Sequence, residues 1–446
     1  MSKGKEFLGS EFKWGIAISA TQNEGASGTD GKSPSIWDTF SARRNKIKNH
    51  SNPSIATNFY HRYREDIDLI EKLNFSNFRF SLAWTRILPE GTGKVNQKGI
   101  DYYHRVIDYC LEKQLEPWIT LYHWDLPQIL EDKGGWTSRD VVNWFSEYAE
   151  KCSLAFGDKV KNWLVMNEPM GFTSLGYFTG MHAPGKRGLR NFLKAAHHTA
   201  LSQAAGGRIL RKNMTGSNIG NGFSCSVIEP SDNQPKNIQA AVRTDALMNR
   251  LFLEPALGMG YPVKDLPVLK KMEKYIRPGD TDNLSFDFDF TGIQYYYRIV
   301  ARHSYWMPWI HAVQVPAKKR NVPVSQLNLE IYPEGIYTML HYFNNYPQIK
   351  KLLVTENGVC FEDHITSDNR VNDTDRIAYF KATLDQILHA KNDGIPVDGF
   401  FAWTLTDNFE WSEGYMPRFG LIYTDYSTQQ RIIKDSGYWF RDLLAD

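Results

Sequence analysis

Residues 162–169 read NWLVMNEP, an apolar run that ends in a carboxylate, Glu168, and is broken at once by Pro169. Residues 352–358 repeat this pattern as LLVTENG, in which Glu356 stands before an Asn-Gly turn. Short and nearly continuous apolar runs are typical of parallel strands that are buried on both faces. Each stretch therefore predicts a buried strand that places a glutamate at its carboxyl end.

Six further segments have the same apolar character, and segments with helical periodicity separate them. The eight predicted strands are residues 12–20, 77–84, 116–123, 162–168, 217–224, 288–296, 352–356 and 397–405. Apolar residues recur every three or four positions within 60–70 and 100–111, and residues 191–212 and 375–392 also favour helices. Eight strands that alternate with helices indicate an α/β fold, a single (β/α)₈ TIM barrel.

The chain shows no internal repeat, low-complexity tract or linker, so the sequence predicts one catalytic barrel domain over residues 1–446. Three connections are too long to be simple turns: 26–56, 297–329 and 406–431. Long connections with little structure of their own usually have a function. Because each of them follows a predicted strand, we expect all three on the C-terminal face, where barrel enzymes place their active sites.

Composition argues against several classes of partner. Lys and Arg number 52 against 50 Asp and Glu, so no global field draws the chain to nucleic acid or to an anionic membrane. No run of about 18 apolar residues occurs that could span a bilayer. The histidines show no ligand spacing such as HExxH, and we expect no metal and no cofactor.

The cysteines and the N-terminus together predict a cytoplasmic protein. The four cysteines are scattered and form no CxxC pair, a pattern that suits free thiols in a reducing compartment. Residues 1–7 lack the apolar core of a signal peptide. The sequence leaves the oligomeric state open.

The two strand-end glutamates predict the chemistry. Strands four and seven lie across an eight-stranded barrel from each other, so Glu168 and Glu356 should face each other over a cleft. Cleavage of a glycosidic bond needs two such carboxyl groups: one protonates the departing oxygen, and the other attacks or screens the oxocarbenium-like centre. Two acids at short range also raise the pKa of one of them.

The chain also resembles glycoside hydrolase family 1, the β-glucosidases and their relatives, from end to end. Seven of the family's motifs occur in the family's order: FKWG to QNEGA (12–26), SIWD (35–38), FRFS (78–81), HWDLP (123–127), NEP (167–169), TENG (355–358) and DNFEW (407–411). The resemblance implies a retaining β-glucosidase that removes terminal β-D-glucosyl residues through a covalent intermediate. Its expected substrates are small β-glucosides and short β-linked oligosaccharides, such as cellobiose.

The resemblance also implies a role for each matching residue. Glu168 would be the proton donor and then the base, and Glu356 would be the nucleophile, supported by Arg79 and Tyr296. Asn167 would contact the sugar 2-hydroxyl. The residues expected to bind the rest of the sugar are Gln22, His123, Glu410 and Trp411 at its hydroxyls, Trp403 as the stacking platform, Tyr296, and Phe419 near the hydroxymethyl group.

Two departures from the family pattern are present. Gln294 stands before two tyrosines where the family more often has Asn, which predicts a re-routed hydrogen bond near the nucleophile. Met170 follows the NEP motif where an aromatic residue is frequent, so the leaving-group side of the site stays open.

Rival functions differ from this chain at particular residues. A 6-phospho-β-glucosidase would tend to have Ser in place of Glu410, and a carboxylate at this position repels a phosphate dianion. A thioglucosidase would typically have Gln in place of Glu168. A non-catalytic sugar-binding barrel, the rival from another class, would usually lack one of the two glutamates. The preference among glucose, galactose and fucose, and the preferred aglycone, stay open.

Overall fold

The computed structural model describes residues 8–445. Residues 1–7, on which the prediction of no signal peptide rests, lie outside the described residues. Eight parallel strands close into a barrel in which each strand pairs with its neighbours in chain order. They are β1 Lys13–Ala17, β2 Asn77–Ser81, β3 Glu116–Tyr122, β4 Asn162–Asn167, β5 Asn218–Cys225, β6 Phe290–Tyr295, β7 Leu352–Asn357 and β8 Val397–Trp403. The predicted (β/α)₈ barrel is confirmed.

In the described chain, a helix of ten or more residues follows each barrel strand. These helices are Phe59–Lys72, Gln97–Glu112, Val141–Phe156, Leu189–Asn213, Pro235–Asp245, Gly335–Asn344, Thr374–Asn392 and Asp435–Leu444. The predicted apolar stripes face inward: Tyr60, Ile67 and Ile107 are buried, although Leu111 at the end of its stripe is 43% exposed. None of the helices within residues 8–445 has the length and apolar content needed to cross a membrane.

The connections between the strands and the long helices contain shorter helical segments. The short α-helices are Ala20–Asn23, Ile36–Ser41, Trp84–Ile87, Gln128–Asp132, Pro169–Ser174, Leu253–Ala256 and Asp280–Asn283. The 3₁₀ segments are Thr29–Gly31, Lys48–His50, Gly135–Thr137, Pro267–Lys274, Ala317–Arg320 and Trp411–Glu413, and the π turns are Leu175–Thr179 and Ala246–Arg250.

The barrel interior is filled by large side chains, so it does not form a channel. A cluster inside the barrel consists of Trp118, Leu164, Phe290, Leu353 and Phe401. Two rings of this cluster occupy space that only glycines leave free, since a Cβ at position 15 would lie 2.2 Å from the Phe401 ring and one at position 220 would lie 2.3 Å from the Phe290 ring. This packing supports the strand ends that carry the site.

The three long connections, predicted to have little structure of their own, contain short helices and strands. The first holds the helix Ile36–Ser41, which a Ser35–Asp38 capping box begins. The second forms a small sheet in which Ile299–His303 pairs with Ile228–Pro230 and Ala312–Gln314. The third ends in the antiparallel pair Ile422–Thr424 and Arg431–Ile433. The second and third connections contribute side chains to the cavity described below.

Candidate active site

Both predicted catalytic glutamates lie at the carboxyl ends of their strands and line one cavity of about 340 Å³. Glu168 follows the last residue of β4, where its backbone turns into the left-handed region at φ 44° and begins the helix Pro169–Ser174. Glu356 is the last residue but one of β7. The strand registers are irregular at both places, between Leu164 and Asn167 and between Val354 and Glu356. Such irregularities re-aim side chains at strand ends.

Other predicted site residues lie around the same space. Those that line the cavity together with Glu168 and Glu356 are Gln22, His123, Tyr296, Trp403, Glu410, Trp411 and Phe419. Arg79 and Asn167 do not line it, and each is 1% exposed. These two residues form the layer of hydrogen bonds behind the glutamate of β7. The structure thus gathers all the predicted residues at one end of the barrel.

Glu356 accepts hydrogen bonds on both carboxylate oxygens. Its Oε1 accepts from Arg79 Nη1 at 2.5 Å and from Gln294 Nε2 at 2.9 Å, and its Oε2 accepts from the Tyr296 hydroxyl at 2.9 Å. Burial raises the pKa of Glu356, while the Arg79 guanidinium and the Tyr296 hydroxyl act in the opposite direction. Donors favour the ionised form of a carboxylate, so this group is the readier of the two glutamates to ionise.

Glu168 has different surroundings. No group within residues 8–445 donates a hydrogen bond to its carboxylate, although its backbone N–H donates to Gly222 O at 2.9 Å. Burial raises the pKa of Glu168 well above its ordinary value, and the negative charges of Glu356 and Glu410 raise it further. A carboxyl group in such a place keeps its proton while its partner is ionised.

Asn167 connects the surroundings of Glu356 to His123. Its Oδ1 accepts from Arg79 Nη2 at 2.5 Å and from Gln294 Nε2 at 2.6 Å, so its Nδ2 is the donor toward His123 Nε2 at 3.0 Å. His123 must then carry its proton on Nδ1. Burial lowers the pKa of His123 well below its ordinary value, and the charge of Arg79 adds to this effect, so the ring is neutral.

The part of the cavity wall that follows β1 and β8 combines amide, carboxylate and ring groups. Gln22 Oε1 accepts from the Ser19 hydroxyl at 2.7 Å, which directs Gln22 Nε2 toward Glu410 Oε2 at 3.4 Å. Burial raises the pKa of Glu410 to about 8, and the charges of Glu356 and Glu413 add to it. These groups offer both donors and acceptors to a polyhydroxylated ligand.

Aromatic rings complete that side. The His123 ring lies 5.9 Å from the Trp403 ring and 6.0 Å from the Trp411 ring, at interplanar angles of 23° and 26°. Trp411 in turn stacks on Trp124 at 4.6 Å. Flat apolar faces beside hydrogen-bonding groups suit a sugar ring, which has both C–H faces and hydroxyls.

Two features of the site could not be predicted from the sequence. Gln294 was expected only to re-route a hydrogen bond, but its amide joins Glu356 to Asn167. Gly222 makes this possible, because a Cβ there would lie 2.8 Å from Gln294 Nε2. The sequence signal for the role of Gln294 was the Gln in place of the family's Asn. The role of Gly222 depends on the pairing of β4, β5 and β6, so it has no local signal in the sequence.

Within the described range, His, Cys, Asp and Glu form no cluster that could hold a metal.

The fold and the site define a class: a (β/α)₈ barrel with two dissimilar carboxyl groups in one cavity, the arrangement of a glycoside hydrolase. Residues 4–446 match the family model described as glycosyl hydrolase family 1. The 1,4-beta-D-glucan glucohydrolase of Thermotoga neapolitana is 40% identical over 98% of this chain and 97% of its own length. Beta-glucosidase A of Thermotoga maritima is also 40% identical, with the same coverage.

Solved structures agree with the sequence relatives. A family 1 β-glucosidase from Thermotoga maritima superimposes with a TM-score of 0.94 at 39% identity, covering 100% of this chain and 98% of its own. The β-glucosidase of that organism in complex with deoxynojirimycin gives 0.94 at 40% identity and 97% coverage of both chains. The chain therefore belongs to glycosyl hydrolase family 1, and the resemblance found in its motifs is confirmed.

Proposed function

We propose that the protein is a retaining β-glucosidase in which Glu356 is the nucleophile and Glu168 is the general acid and base. The single observation that carries this assignment of roles is the contrast in hydrogen bonding. Three donors reach the Glu356 carboxylate, and none of the described residues reaches that of Glu168. The relatives named as β-glucosidases support the reaction and the sugar.

In the first step, Glu356 attacks the anomeric carbon. Its Oε2 accepts one hydrogen bond while Oε1 accepts two, so Oε2 is the oxygen with more freedom to form the new bond. As the bond from the anomeric carbon to the glycosidic oxygen breaks, Glu168 gives its proton to the departing oxygen. The products are a free alcohol and a glucosyl ester of Glu356.

Esterification removes the negative charge of Glu356. That charge is one cause of the raised pKa of Glu168, so the pKa of Glu168 falls once the ester has formed. The Glu168 carboxylate can now take a proton from water, whose oxygen attacks the anomeric carbon and releases Glu356. Two displacements at one carbon return the β configuration.

Glucose that carries a 6-phosphate is disfavoured as the substrate. Among the described residues, no lysine or arginine lines the cavity. Arg418, the cation nearest in sequence to the predicted hydroxymethyl site, donates to Asp407 Oδ2 at 2.7 Å and lies over the Tyr423 ring at 3.9 Å. Glu410 in the same cavity carries no positive charge in either protonation state, so it cannot balance the phosphate dianion.

The finer roles proposed here are those that the family resemblance implies, and the position of most of these residues in the cavity lining supports them. Gln22, His123, Glu410 and Trp411 bind sugar hydroxyls, Trp403 supplies the stacking face, and Phe419 lies near the hydroxymethyl group. Asn167 Nδ2 has a second N–H beside the one that it donates to His123 Nε2, and this is the group proposed to contact the 2-hydroxyl. The four cysteines are free and buried, which supports a cytoplasmic location.

Product stereochemistry and a substrate panel test this function. We expect proton NMR of early hydrolysis to show β-glucose before mutarotation, and an α product would contradict a double displacement. Initial rates on nitrophenyl β-glucoside, β-galactoside, β-fucoside and β-glucoside 6-phosphate should be highest for the glucoside and lowest for the phosphate. A phosphate substrate that outpaces the glucoside would refute the assignment.

A further inference from the structure

The two neighbours of Phe419 in the chain bind to one carboxylate. Asp407 Oδ1 accepts a hydrogen bond from the backbone N–H of Gly420 at 2.9 Å, and Asp407 Oδ2 accepts one from Arg418 Nη1 at 2.7 Å. Phe419 lines the cavity, whereas Asp407 is buried and does not line it. Asp407 therefore binds the chain on both sides of a cavity residue and leaves the space for a ligand free.

Asp407 also lies at the neck of a loop. Leu421 N donates to Thr404 O at 2.9 Å and Asp407 N donates to Ile422 O at 3.0 Å, so the chain before the loop and the chain after it run side by side. Residues 408–419 form the loop between them. The cavity residues in this loop are Glu410, Trp411 and Phe419.

A lysine just before the last helix binds to the same neck. Lys434 Nζ donates to Asp407 Oδ1 at 2.7 Å and to Asp363 Oδ2 at 2.5 Å, and its side chain is fully buried. Its backbone N–H donates to Leu421 O at 2.9 Å. Because Asp363 belongs to the connection after β7, one ammonium group joins the connections after β7 and β8.

Arg376 holds the loop from a second side. Its Nη2 donates to Asp363 Oδ2 at 2.9 Å and to the backbone O of Arg418 at 2.8 Å. Arg418 is thus bound at its side chain by Asp407 and at its carbonyl by Arg376. With the ion pair between Arg376 and Asp373, three cations meet three carboxylates. We call these six residues the ionic cluster: Asp363, Asp373, Arg376, Asp407, Arg418 and Lys434.

The burial of the ionic cluster explains how it can fix the loop. Five of its members are buried and Arg418 is half-buried. A buried ion pair adds little net stability, because each ion loses its hydration, but loss of one partner is costly, because it leaves a buried charge unpaired. Any position of the loop that breaks a contact of the cluster is therefore disfavoured.

We propose that the ionic cluster, through Asp407 and Arg418, positions Phe419 and thereby sets the preference of the cavity for a sugar with a hydroxymethyl group. The inference rests on the proposed function, which places this group near Phe419. The Phe419 ring packs in one cluster with Trp403, the proposed stacking face. None of the six charged residues lines the cavity, so they act as positioning residues.

Two substrates that differ only in this group test the proposal. Nitrophenyl β-D-glucoside and nitrophenyl β-D-xyloside share a leaving group, and xylose lacks the hydroxymethyl group. Arg418→Met removes the donor to Asp407 Oδ2. It should lower the glucoside-to-xyloside ratio of kcat/KM at least about 5-fold, since one methylene in a fitted pocket contributes roughly 10- to 200-fold. Arg418→Lys keeps the charge but not the planar fork, so a smaller fall of about 2-fold is expected.

Arg139→Met is the matched control. Arg139 is half-buried like Arg418, its Nη1 donates to the buried Asp280 at 2.7 Å, and neither residue lines the cavity. Loss of this ion pair should lower the midpoint of thermal unfolding and leave the substrate ratio as in the wild type. An unchanged ratio in either folded Arg418 variant, or an equal fall in Arg139→Met, would overturn the proposal and leave the β-glucosidase function intact. No wild-type turnover of either glycoside would overturn both.

Discussion

The ends of β4 and β7 place the same type of side chain in the same cavity and surround it in opposite ways. Glu356 is 3% exposed and accepts hydrogen bonds from Arg79, Gln294 and Tyr296. Glu168 is half-buried and accepts none from the part of the chain that the structure describes. Their environments, and not their chemical type, are therefore the basis of the roles that we propose for them, nucleophile for Glu356 and acid for Glu168.

The difference also gives the order in which the pair loses its protons. Burial raises the pKa of both groups. The pKa of Glu168 rises further because this group lacks donors and faces the charges of Glu356 and Glu410, whereas Arg79 and Tyr296 oppose the rise at Glu356. On raising the pH, Glu356 ionises first and Glu168 later. The active state lies between the two steps, so kcat/KM should follow a bell-shaped pH profile that belongs to the pair.

Removal of the Glu356 carboxylate should cause the largest loss of activity. We expect Glu356→Ala to lower kcat/KM by at least about 10⁴-fold with every glucoside, because no covalent intermediate can form. Added azide should fill the vacated space and attack from the same face, giving the α-glucosyl azide. Glu112→Ala, an exposed glutamate on the helix Gln97–Glu112, is the control and should keep wild-type rates. A β-azide from Glu356→Ala would reverse the assigned roles.

Loss of the acid should depend on the leaving group. Glu168→Ala should lower the rate with octyl glucoside by roughly 10²–10⁴-fold, the usual range for a general acid. With dinitrophenyl β-glucoside, whose leaving group needs no proton, formation of the intermediate should be nearly unaffected. Azide should then replace water in the second step and give the β-glucosyl azide. Equal losses with the two substrates would argue against Glu168 as the acid.

The sequence predicted the barrel and both glutamates because their signals are local. An apolar run that ends in Asn-Glu-Pro or Glu-Asn-Gly specifies a strand and its end without reference to the rest of the chain. The partners of Gln294 could not be predicted in this way. Gln294 pairs in register with Glu356 across β6 and β7, and Asn167 pairs with Gly222 across β4 and β5, after a shift in each register.

Gln294→Leu tests whether the hydrogen bonds from the Gln294 amide to Glu356 and Asn167 keep the pKa of Glu356 below that of Glu168. A hydrogen bond to a charged group contributes roughly 1.5–3 kcal/mol, so Gln294→Leu should lower kcat/KM about 10- to 100-fold. Loss of a donor favours the protonated carboxyl, so the pKa of Glu356 should rise and the acid limb of the pH profile should move to higher pH. Gln294→Glu is unsuitable as a control, because it adds a charge. An acid limb that stays in place would show that the bridge does not act on the nucleophile.

Tyr296→Phe removes the one donor that Glu356 Oε2 has among the described residues, and it keeps the ring. Tyr296 is half-buried, so water can replace part of the lost interaction, and we expect a loss of only about 10-fold in kcat/KM. The acid limb should move in the same direction as in Gln294→Leu, but by less. The matched control is Tyr337→Phe, which loses a hydrogen bond to Asp393 at an exposed site on the helix Gly335–Asn344. Equal behaviour of the two variants would contradict a role for the Tyr296 hydroxyl.

The smallest expected effect comes from a residue that touches neither glutamate side chain. A Cβ at position 222 would lie 2.8 Å from Gln294 Nε2. Because this atom ends a flexible side chain, Gly222→Ala should displace the amide with little loss of stability and lower kcat/KM several-fold, by roughly 3- to 10-fold. If displacement of Gln294 is the cause, the effects of Gly222→Ala and Gln294→Leu should not add in the double variant, since the second change removes what the first one moves. Full additivity would mean that glycine at 222 serves the strand pairing and not the nucleophile.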